Sequence, residues 1–349
     1  MSAVTVPEAP RVPEAPRTPH APDAPDVPRT LKRSAGLPDR LFRGVARGSG
    51  AVVLVIMLLV GTFLGYRAWE ALRVAKWSFL TTSAWEPESH RFGIAAVLTG
   101  TVLIGLVAIA IAVPLAMGTA LYISEYAPRS VRRTMITVVD LMAAVPSVVY
   151  GLWGAFYLQS HIVGLSRWLA TYLSWIPFLK VRGADPGDPL ATTTVYTSST
   201  FIAGIVVALM VTPIACSVMR ETFSQAPAGE REGAYALGST RWGVIRTVVL
   251  PFGRGGAIGG TMLGLGRALG ETIAVYMIIS PSFVIQPRIL ENGTNSVSSL
   301  IALRYGSASD FGMSALMAAG LALFLMTLVV NFIASSIVAR SRSGAGADA

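Results

Sequence analysis

The sequence predicts an all-α membrane protein with six transmembrane helices. Of its 349 residues, 53% are hydrophobic and only 13% are charged, and the mean hydropathy is +0.59. Soluble domains usually carry about 25% charged residues. The net charge of +9 would suggest nucleic acid binding in a soluble domain. Here most Lys and Arg residues flank apolar segments, where they set membrane orientation, so we expect no nucleic acid partner.

Residues 1–48 are predicted to form a proline-rich, disordered cytoplasmic tail. Prolines recur there at every third position, namely Pro7, Pro10, Pro13, Pro16, Pro19, Pro22, Pro25 and Pro28. Three residues is the period of a polyproline II helix, which leaves open a role in binding a partner domain. The segment lacks the apolar residues that a core needs. A second, short cytoplasmic tail is predicted over 341–349.

Six apolar segments follow, within a predicted transmembrane domain over 49–340. They lie near 51–69, 94–119, 135–158, 197–219, 255–279 and 311–338. Each is close to the roughly 20 residues that a helix needs to cross the hydrocarbon of a bilayer. Glycines and prolines interrupt the third and fifth segments.

The distribution of cations predicts the orientation of these helices. Cytoplasmic loops carry an excess of Lys and Arg. The short loop between the second and third segments holds Arg129, Arg132 and Arg133, and the loop between the fourth and fifth is also basic. We therefore expect both termini and the 220–254 region in the cytoplasm of a multi-pass plasma membrane protein.

The loop between the fourth and fifth segments has a helical pattern although it lies between two apolar runs. Ser239 and Thr240 follow Gly238, and a Ser or Thr before an apolar-periodic run is a signal for a helix N-cap. The pattern predicts two short helices, over about 227–237 and 240–250, with Gly238 at the reversal. Pro251 is expected to end the second helix.

The second of these helices is predicted to be amphipathic. Trp242, Ile245 and Val249 recur at i, i+3 and i+7, which places them on one helix face. Such a face packs either on the protein's own helix ends or on a partner, and the pattern alone does not decide between them.

The spacing of residues 229–251, hereafter the coupling loop, resembles the EAA signature of ABC importer permeases. Glu232-Gly-Ala234, Gly238 and Val248-Val-Leu250-Pro251 occur at the family's intervals, with Gly233 and Val248 replacing the usual Ala and Ile. The resemblance implies a type I (MetI-like) permease fold. It also implies that the loop docks on a cytoplasmic ATPase. The residues assigned to this coupling role are Glu232, Ala234, Gly238, Trp242, Ile245, Leu250 and Pro251.

A stretch of the fifth segment, Gly-Leu-Gly-Arg-Ala-Leu-Gly-Glu-Thr over 264–272, is similar to phosphate-type permeases, as are pieces at 85–94 and 145–154. The resemblance covers roughly residues 50–340. It implies a transport subunit of a phosphate importer that is not itself an enzyme and binds no cofactor. The implied partners are a second phosphate permease subunit (PstA-like), two cytoplasmic ATPase subunits (PstB-like) that bind ATP, an extracytoplasmic phosphate-binding protein (PstS-like) and the lipid bilayer.

Arg267 and Glu271 are the candidate substrate-pathway residues. Arg267 lies 12 positions after Gly255, or roughly 18 Å along a helix and therefore near the middle of the bilayer. At i and i+4 the two side chains could simply neutralise each other on one helix face. Alternatively, Arg267 faces the pathway, because intramembrane charges usually mark one and a guanidinium matches the geometry of an oxyanion. Contact with phosphate and locking of a closed state are both possible roles.

Gly256, Gly260 and Gly264 recur at four-residue spacing in the same segment. This small-xxx-small pattern lets two helices approach closely. The partner helix could belong to this chain or to a second permease subunit.

Other chemistries are not expected. The sequence holds no G-x-x-x-x-G-K-[ST], H-E-x-x-H or C-x-x-C motif, its three histidines are scattered, and Cys216 is its one cysteine. No metal site is therefore predicted. A permease for another oxyanion or small solute would share the coupling loop and is the alternative function.

Overall fold

The computed structural model describes residues 37–182 and 193–342. The chain divides at Ile56 into two units, of which the first contains the described residues 37–56 and the second begins at Met57. Most of the predicted N-terminal tail and the C-terminal residues 343–349 lie outside the described residues. Residues 37–48, however, are helical and not part of a disordered tail. No proline follows Pro38 there, and Arg43 pairs with Asp39 one turn earlier at 3.0 Å.

Five or six candidate membrane spans account for most of the described residues, and the predicted count of six is reached when one bent pair of helices is taken as a single span. Five are single helices long and apolar enough to cross a bilayer, and a bent pair of helices makes the sixth. In chain order they are the first span, Leu37–Ala75; the second, Ala95–Tyr126; the third, Arg129–Ala144 with Ser147–His161; the fourth, Thr200–Ser224; the fifth, Arg241–Gly270 with Ile273–Ile278; and the sixth, Asp310–Arg342.

Short elements connect the spans. They are the helices Ser78–Thr81, Val163–Tyr172, Ala228–Ala236 and Val297–Arg304, and an antiparallel pair of two-residue strands, Trp85–Glu86 and Arg91–Phe92. The all-α prediction is therefore confirmed, since this small hairpin and an isolated bridge between Ser199 and Asn292 are the only β structure among the described residues.

The third span is bent by 87° between its two helices, whereas the sequence predicts one segment over 135–158. Val145 and Pro146 are both extended, with ψ of 128° and 141°. A proline lacks an N–H donor and disfavours the helical conformation of the residue before it. These two effects together end the first helix at Ala144.

The fifth span begins at Arg241 and passes through Pro251, so the prediction that Pro251 ends the preceding helix is wrong. A single π-helical turn over Ile245–Val249 comes directly before Leu250 and Pro251. A π turn is wider than an α turn because its hydrogen bonds run from i to i+5. We infer that the wider turn leaves room for the proline ring, and the helix continues to Gly270.

The fifth span breaks at Glu271, whose backbone is extended with ψ of 125°. The short helix Ile273–Ile278 follows and packs on the second half of the third span. Gly151 makes this packing close, since a Cβ there would lie 2.8 Å from the Cα of Ala274. The break in the fifth span and the bend in the third span therefore lie next to segments that pack against each other.

The second and fourth spans form the centre of the bundle. Ile104, Ala108 and Ala112 of the second span are buried with residues 202–211 of the fourth. Further along the second span, Ala116 and Ala120 pack in a cluster with residues 215–223 of the fourth, including Cys216. The small side chains of the second span allow the close approach of the two helices.

Candidate coupling loop and intramembrane charge site

The coupling loop consists of two helices with a sharp reversal between them, as the sequence predicts. The first helix, Ala228–Ala236, ends in a turn in which Gly238 has φ of +83°. The Gly238 N–H donates to the carbonyl of Tyr235 at 2.9 Å, and the Ser239 N–H donates to that of Ala234 at 3.1 Å. Only glycine adopts this left-handed conformation without steric cost, so the turn depends on Gly238.

Thr240 is the N-cap of the second helix. Its Oγ1 accepts a hydrogen bond from the N–H of Gly243 at 3.2 Å, and its backbone is extended. This bond satisfies one of the four N–H groups that a helix leaves free at its N-terminus.

The second helix buries one face and exposes another. Val244, Ile245 and Val249 are each at most 1% exposed, whereas Trp242 is 59% exposed. The three residues predicted to share one face, Trp242, Ile245 and Val249, therefore differ in burial. Ile245, expected among the coupling residues, packs inside the protein, and Trp242 points outwards.

The outward surface of the loop, hereafter the docking face, combines exposed apolar side chains with an acidic one. Leu237 is 89% exposed, and Tyr235 and Trp242 are also exposed. Glu232 lies on the same loop and is exposed as well. Of the other predicted coupling residues, Gly238 and Pro251 are exposed and Ala234 and Leu250 are partly buried. Exposed aromatic and aliphatic side chains grouped in this way are typical of a protein interface.

Arg231 holds the first helix of the loop to the bundle, a contact that sequence reasoning missed. Its guanidinium pairs with the carboxylate of Glu125 at 3.1 Å and donates to the carbonyl of Phe223 at 2.7 Å. The two partners lie 106 and 8 positions away along the chain. Local spacing could not indicate a pair so distant in sequence.

Arg267 lies in the last turn of the long helix of the fifth span and is exposed on this chain. No ion pair joins it to Glu271 or to any other acidic residue in the described parts of the chain. The helix ends at Gly270, so Glu271 leaves the helical path and the i, i+4 relation does not bring the side chains together. The self-neutralising arrangement is not the one observed.

Glu271 stabilises the break in the fifth span. Its Oε1 accepts from the N–H of Ala274 at 3.3 Å, in the first turn of the short helix that follows. Its carbonyl accepts from the hydroxyl of Ser298 at 2.8 Å. A carboxylate at a helix N-terminus is favourable because the macrodipole is positive there. Glu271 thus ties the break to the helix Val297–Arg304.

The three predicted packing glycines face the fourth span of the same chain. A Cβ at Gly256 would overlap the side chain of Thr222, and one at Gly264 would overlap Val211. At Gly260 it would lie 3.0 Å from the carbonyl oxygen of Ala215. The structure therefore places the glycine stripe inside the chain and not on a surface available to a second subunit.

Metal-binding groups are scattered. Within residues 37–182 and 193–342, no three His, Cys, Asp or Glu side chains are grouped in a way that could hold a metal ion.

Comparison with known proteins places residues 112–343 in the family described as binding-protein-dependent transport system inner membrane component. The chain is 37% identical to the phosphate transport system permease protein PstC 2 of Mycobacterium tuberculosis, over 89% of this chain and 95% of that protein. It is also 37% identical to PstC of Pasteurella multocida, over 86% and 92% of the two chains.

Solved structures resemble the chain in fold. A bacterial alginate ABC transporter in complex with an alginate pentasaccharide-bound periplasmic protein has a chain that matches with a TM-score of 0.55 and 15% identity, over 86% of this chain and 95% of that one. A bacterial ABC transporter involved in the import of alginate matches with a TM-score of 0.52 and 17% identity, over 86% and 99% of the two chains. Identities this low support the permease fold alone.

Proposed function

Because the chain belongs to the binding-protein-dependent inner membrane components, and within them to the PstC phosphate transport permeases, we propose that it is a permease subunit of an ATP-driven phosphate importer. In this role it forms half of the translocation pathway in the plasma membrane. ATP is bound and hydrolysed on a separate subunit. Both termini lie in the cytoplasm.

The relatives carry the proposed cargo, and the structural observation that carries the pathway is Arg267, which is exposed beside the break in the fifth span and has no acidic partner among the described residues. An arginine facing lipid at this depth is costly, whereas one facing a second protein or a water-filled path is not. Leu263, one turn earlier, and Ile273, just past the break, are exposed as well. We infer that this face meets the second permease subunit and that the pathway runs between the two.

The chemistry of Arg267 suits phosphate. A guanidinium presents a planar fork of N–H donors that matches the oxygens of a phosphate. No ion pair joins Glu271 to Arg267 in the described parts of the chain, so its carboxylate does not occupy those donors. An ion bound to one such group, close to the bilayer middle, is held weakly enough to be released.

The docking face supports contact with a cytoplasmic ATPase. Tyr235, Leu237 and Trp242 would bury apolar surface in a cleft of that subunit, and Glu232 would supply a charged contact at the rim. On the opposite side of the membrane, the outer loops are the surface on which an extracytoplasmic phosphate-binding protein would dock.

Uptake into vesicles tests the proposal. The purified complex, reconstituted with its ATPases and its binding protein, should accumulate radiolabelled phosphate only when ATP is present. Excess unlabelled phosphate should compete, and sulfate should not. Accumulation without ATP would contradict the proposal.

A permease for another oxyanion is the second candidate. Arg267 favours it as much as it favours phosphate, because sulfate presents a similar arrangement of oxygens to a guanidinium. Competition by sulfate at equal concentration would support this candidate over phosphate.

A further inference from the structure

We propose that Arg231 and Glu125 form a clamp that transmits movement of the coupling loop to the second and fourth spans. This inference rests on the proposed function, since it concerns how ATPase movement reaches the pathway. Arg231 lies in the first helix of the loop, Glu125 in the last turn of the second span and Phe223 in the last turn of the fourth.

The guanidinium of Arg231 contacts the ends of two helices at once. Arg231 Nη2 lies 3.1 Å from Glu125 Oε1, and Nη1 donates to Oε2 at 3.3 Å. Nη2 also donates to the carbonyl oxygen of Phe223 at 2.7 Å. One side chain therefore joins three elements, using two nitrogens of the guanidinium, which the single ammonium of a lysine could not do.

Burial distinguishes this pair from an ordinary surface pair. The side chains of Arg231 and Glu125 are 23% and 9% exposed. The pair between Asp39 and Arg43 lies within one helix, with side chains 46% and 57% exposed. Exposed pairs contribute little to stability, whereas removing one partner of a buried pair leaves an uncompensated charge.

The position of Glu125 also calls for a cation. It lies at the C-terminal end of the second span, where the helix macrodipole is negative and a carboxylate is unfavourable. Phe223 presents one of the carbonyls at the end of the fourth span. The positive charge of Arg231 stabilises both the carboxylate of Glu125 and the carbonyl of Phe223. The loop helix is therefore held at a defined position on these two helix ends.

The clamp reaches the fifth span through Phe223. A Cβ at Gly253 would overlap the ring of Phe223, so the fifth span lies directly against the residue whose carbonyl Arg231 holds. Arg231 is thus a positioning residue that makes the loop and the cytoplasmic ends of three spans move together.

Charge reversal and charge exchange test the clamp in reconstituted vesicles. Glu125→Arg and Arg231→Glu should each lower phosphate uptake per ATP hydrolysed by about tenfold, because each leaves two like charges in contact. The double variant, which exchanges the charges, should restore at least about half of the wild-type ratio, because it rebuilds the attraction. Arg43→Glu in the exposed pair is the matched control and should leave the ratio unchanged.

Two results would overturn the clamp. One is a wild-type ratio of uptake to hydrolysis in both single reversals. The other is a double variant no better than the singles, which would mean that attraction between the two groups is not what matters. If a reversal lowers the amount of assembled complex, Glu125→Gln serves instead, since it keeps the shape and removes the charge; a wild-type ratio there would also overturn the clamp.

The clamp and the proposed function fail in different ways. If the wild-type complex accumulated no phosphate, the proposed cargo would be wrong. Stimulation of ATP hydrolysis by the loaded binding protein would still report coupling, whatever the solute. Loss of that stimulation in the reversals and its return in the double variant would then support the clamp independently.

Discussion

Arg267 is the residue whose environment says most about transport. It is exposed on this chain, lies at the end of a helix and has no acidic partner among the described residues. A helix C-terminus carries partial negative charge that stabilises a cation. In the proposed pathway, this would offset part of the cost of holding the guanidinium ready for an anion, with no carboxylate paired to it among the described residues.

Replacing Arg267 with Gln should lower phosphate uptake by at least about tenfold, because a hydrogen bond to a charged group contributes roughly 1.5–3 kcal/mol. Arg267→Lys should be intermediate, since it keeps the charge and loses the fork. Initial rates of uptake at equal amounts of assembled complex measure both.

Arg254→Gln is the control for this prediction, because Arg254 is exposed on the same helix, 13 positions before Arg267. Normal uptake in Arg267→Gln would remove Arg267 from the pathway. Passive efflux of phosphate separates the two remaining roles: increased leak in Arg267→Gln indicates a lock on the closed state, and unchanged leak with slow uptake indicates contact with the ion.

Gly238→Pro should uncouple ATP hydrolysis from uptake. Proline fixes φ near −65°, which conflicts with the +83° of Gly238, and it removes the N–H that donates to Tyr235. The two loop helices could then no longer meet at their present angle. Hydrolysis and uptake measured on the same vesicles give the ratio.

Gly233→Ala is the matched substitution in the same loop, because a Cβ there meets nothing within 4 Å and the backbone is helical. It should leave the ratio unchanged. Equal ratios in Gly238→Pro and Gly233→Ala would argue against a docking role for the turn.

Sequence periodicity predicts the second loop helix but not its buried face. Trp242, Ile245 and Val249 share a face by spacing, and Val244 lies beside Ile245. The buried face consists of Val244, Ile245 and Val249, whereas Trp242 lies at the edge of that face and is exposed. Which stripe is covered depends on where the neighbouring spans end, and no local pattern contains that information.

At the scale of elements, the glycine stripe sets the distance between the fourth and fifth spans. In a membrane, van der Waals packing of close helices replaces the hydrophobic effect as the main stabilising interaction. Val211 and Thr222 occupy space that any side chain at Gly264 and Gly256 would need. The spacing predicts close contact, and only the fold identifies the partner helix.

Gly264→Leu should destabilise the protein by about 1–3 kcal/mol, the usual cost of overpacking. Gly259→Leu is the matched control on the same helix, since a Cβ there meets nothing within 4 Å. Unfolding temperatures of the two purified variants in detergent provide the comparison. Equal temperatures would show that the stripe is not a tight contact.

Two prolines show the limit of predicting helix boundaries. Pro146 ends a helix and Pro251 does not, although both carry the same missing donor and the same bulky ring. Val145, directly before Pro146, is extended, whereas the residues before Pro251 stay helical in a π turn over Ile245–Val249. Pro114 and Pro213 also lie inside helices, so a proline alone does not decide where a helix ends. The number of spans could be predicted from apolar length, but the course of the third and fifth could not.

At the scale of the whole molecule, breaks at Pro146 and Glu271 divide the third and fifth spans. The second and fourth spans and the long helix of the fifth pack closely along one another. The short helix Ile273–Ile278 packs on the second half of the third span, and its Ala274, Val275 and Ile278 share a buried cluster with the second and fourth spans. The segments after the breaks at Pro146 and Glu271 therefore pack on the same central spans as the segments before them.

Hydropathy and the coupling-loop spacing predict an ABC importer permease, and the comparisons confirm this class of protein. They do not predict the contact between Ser298 and the break at Glu271 or the pair of Arg231 and Glu125, since both join residues distant in sequence. The proposed permease and ATPase surfaces lie on faces that this chain leaves exposed, and these faces become recognisable only once the buried ones are known.

The helix from Arg241 to Gly270 is long enough that a small tilt at one end produces a large displacement at the other. Thirty residues of helix measure roughly 45 Å, so a tilt of about 5° at the cytoplasmic end displaces the far end by roughly 4 Å. A displacement of that size is comparable to the radius of a hydrated ion. The span would act as a rigid lever, in which a small angular movement below the membrane becomes an atomic-scale opening beside Arg267.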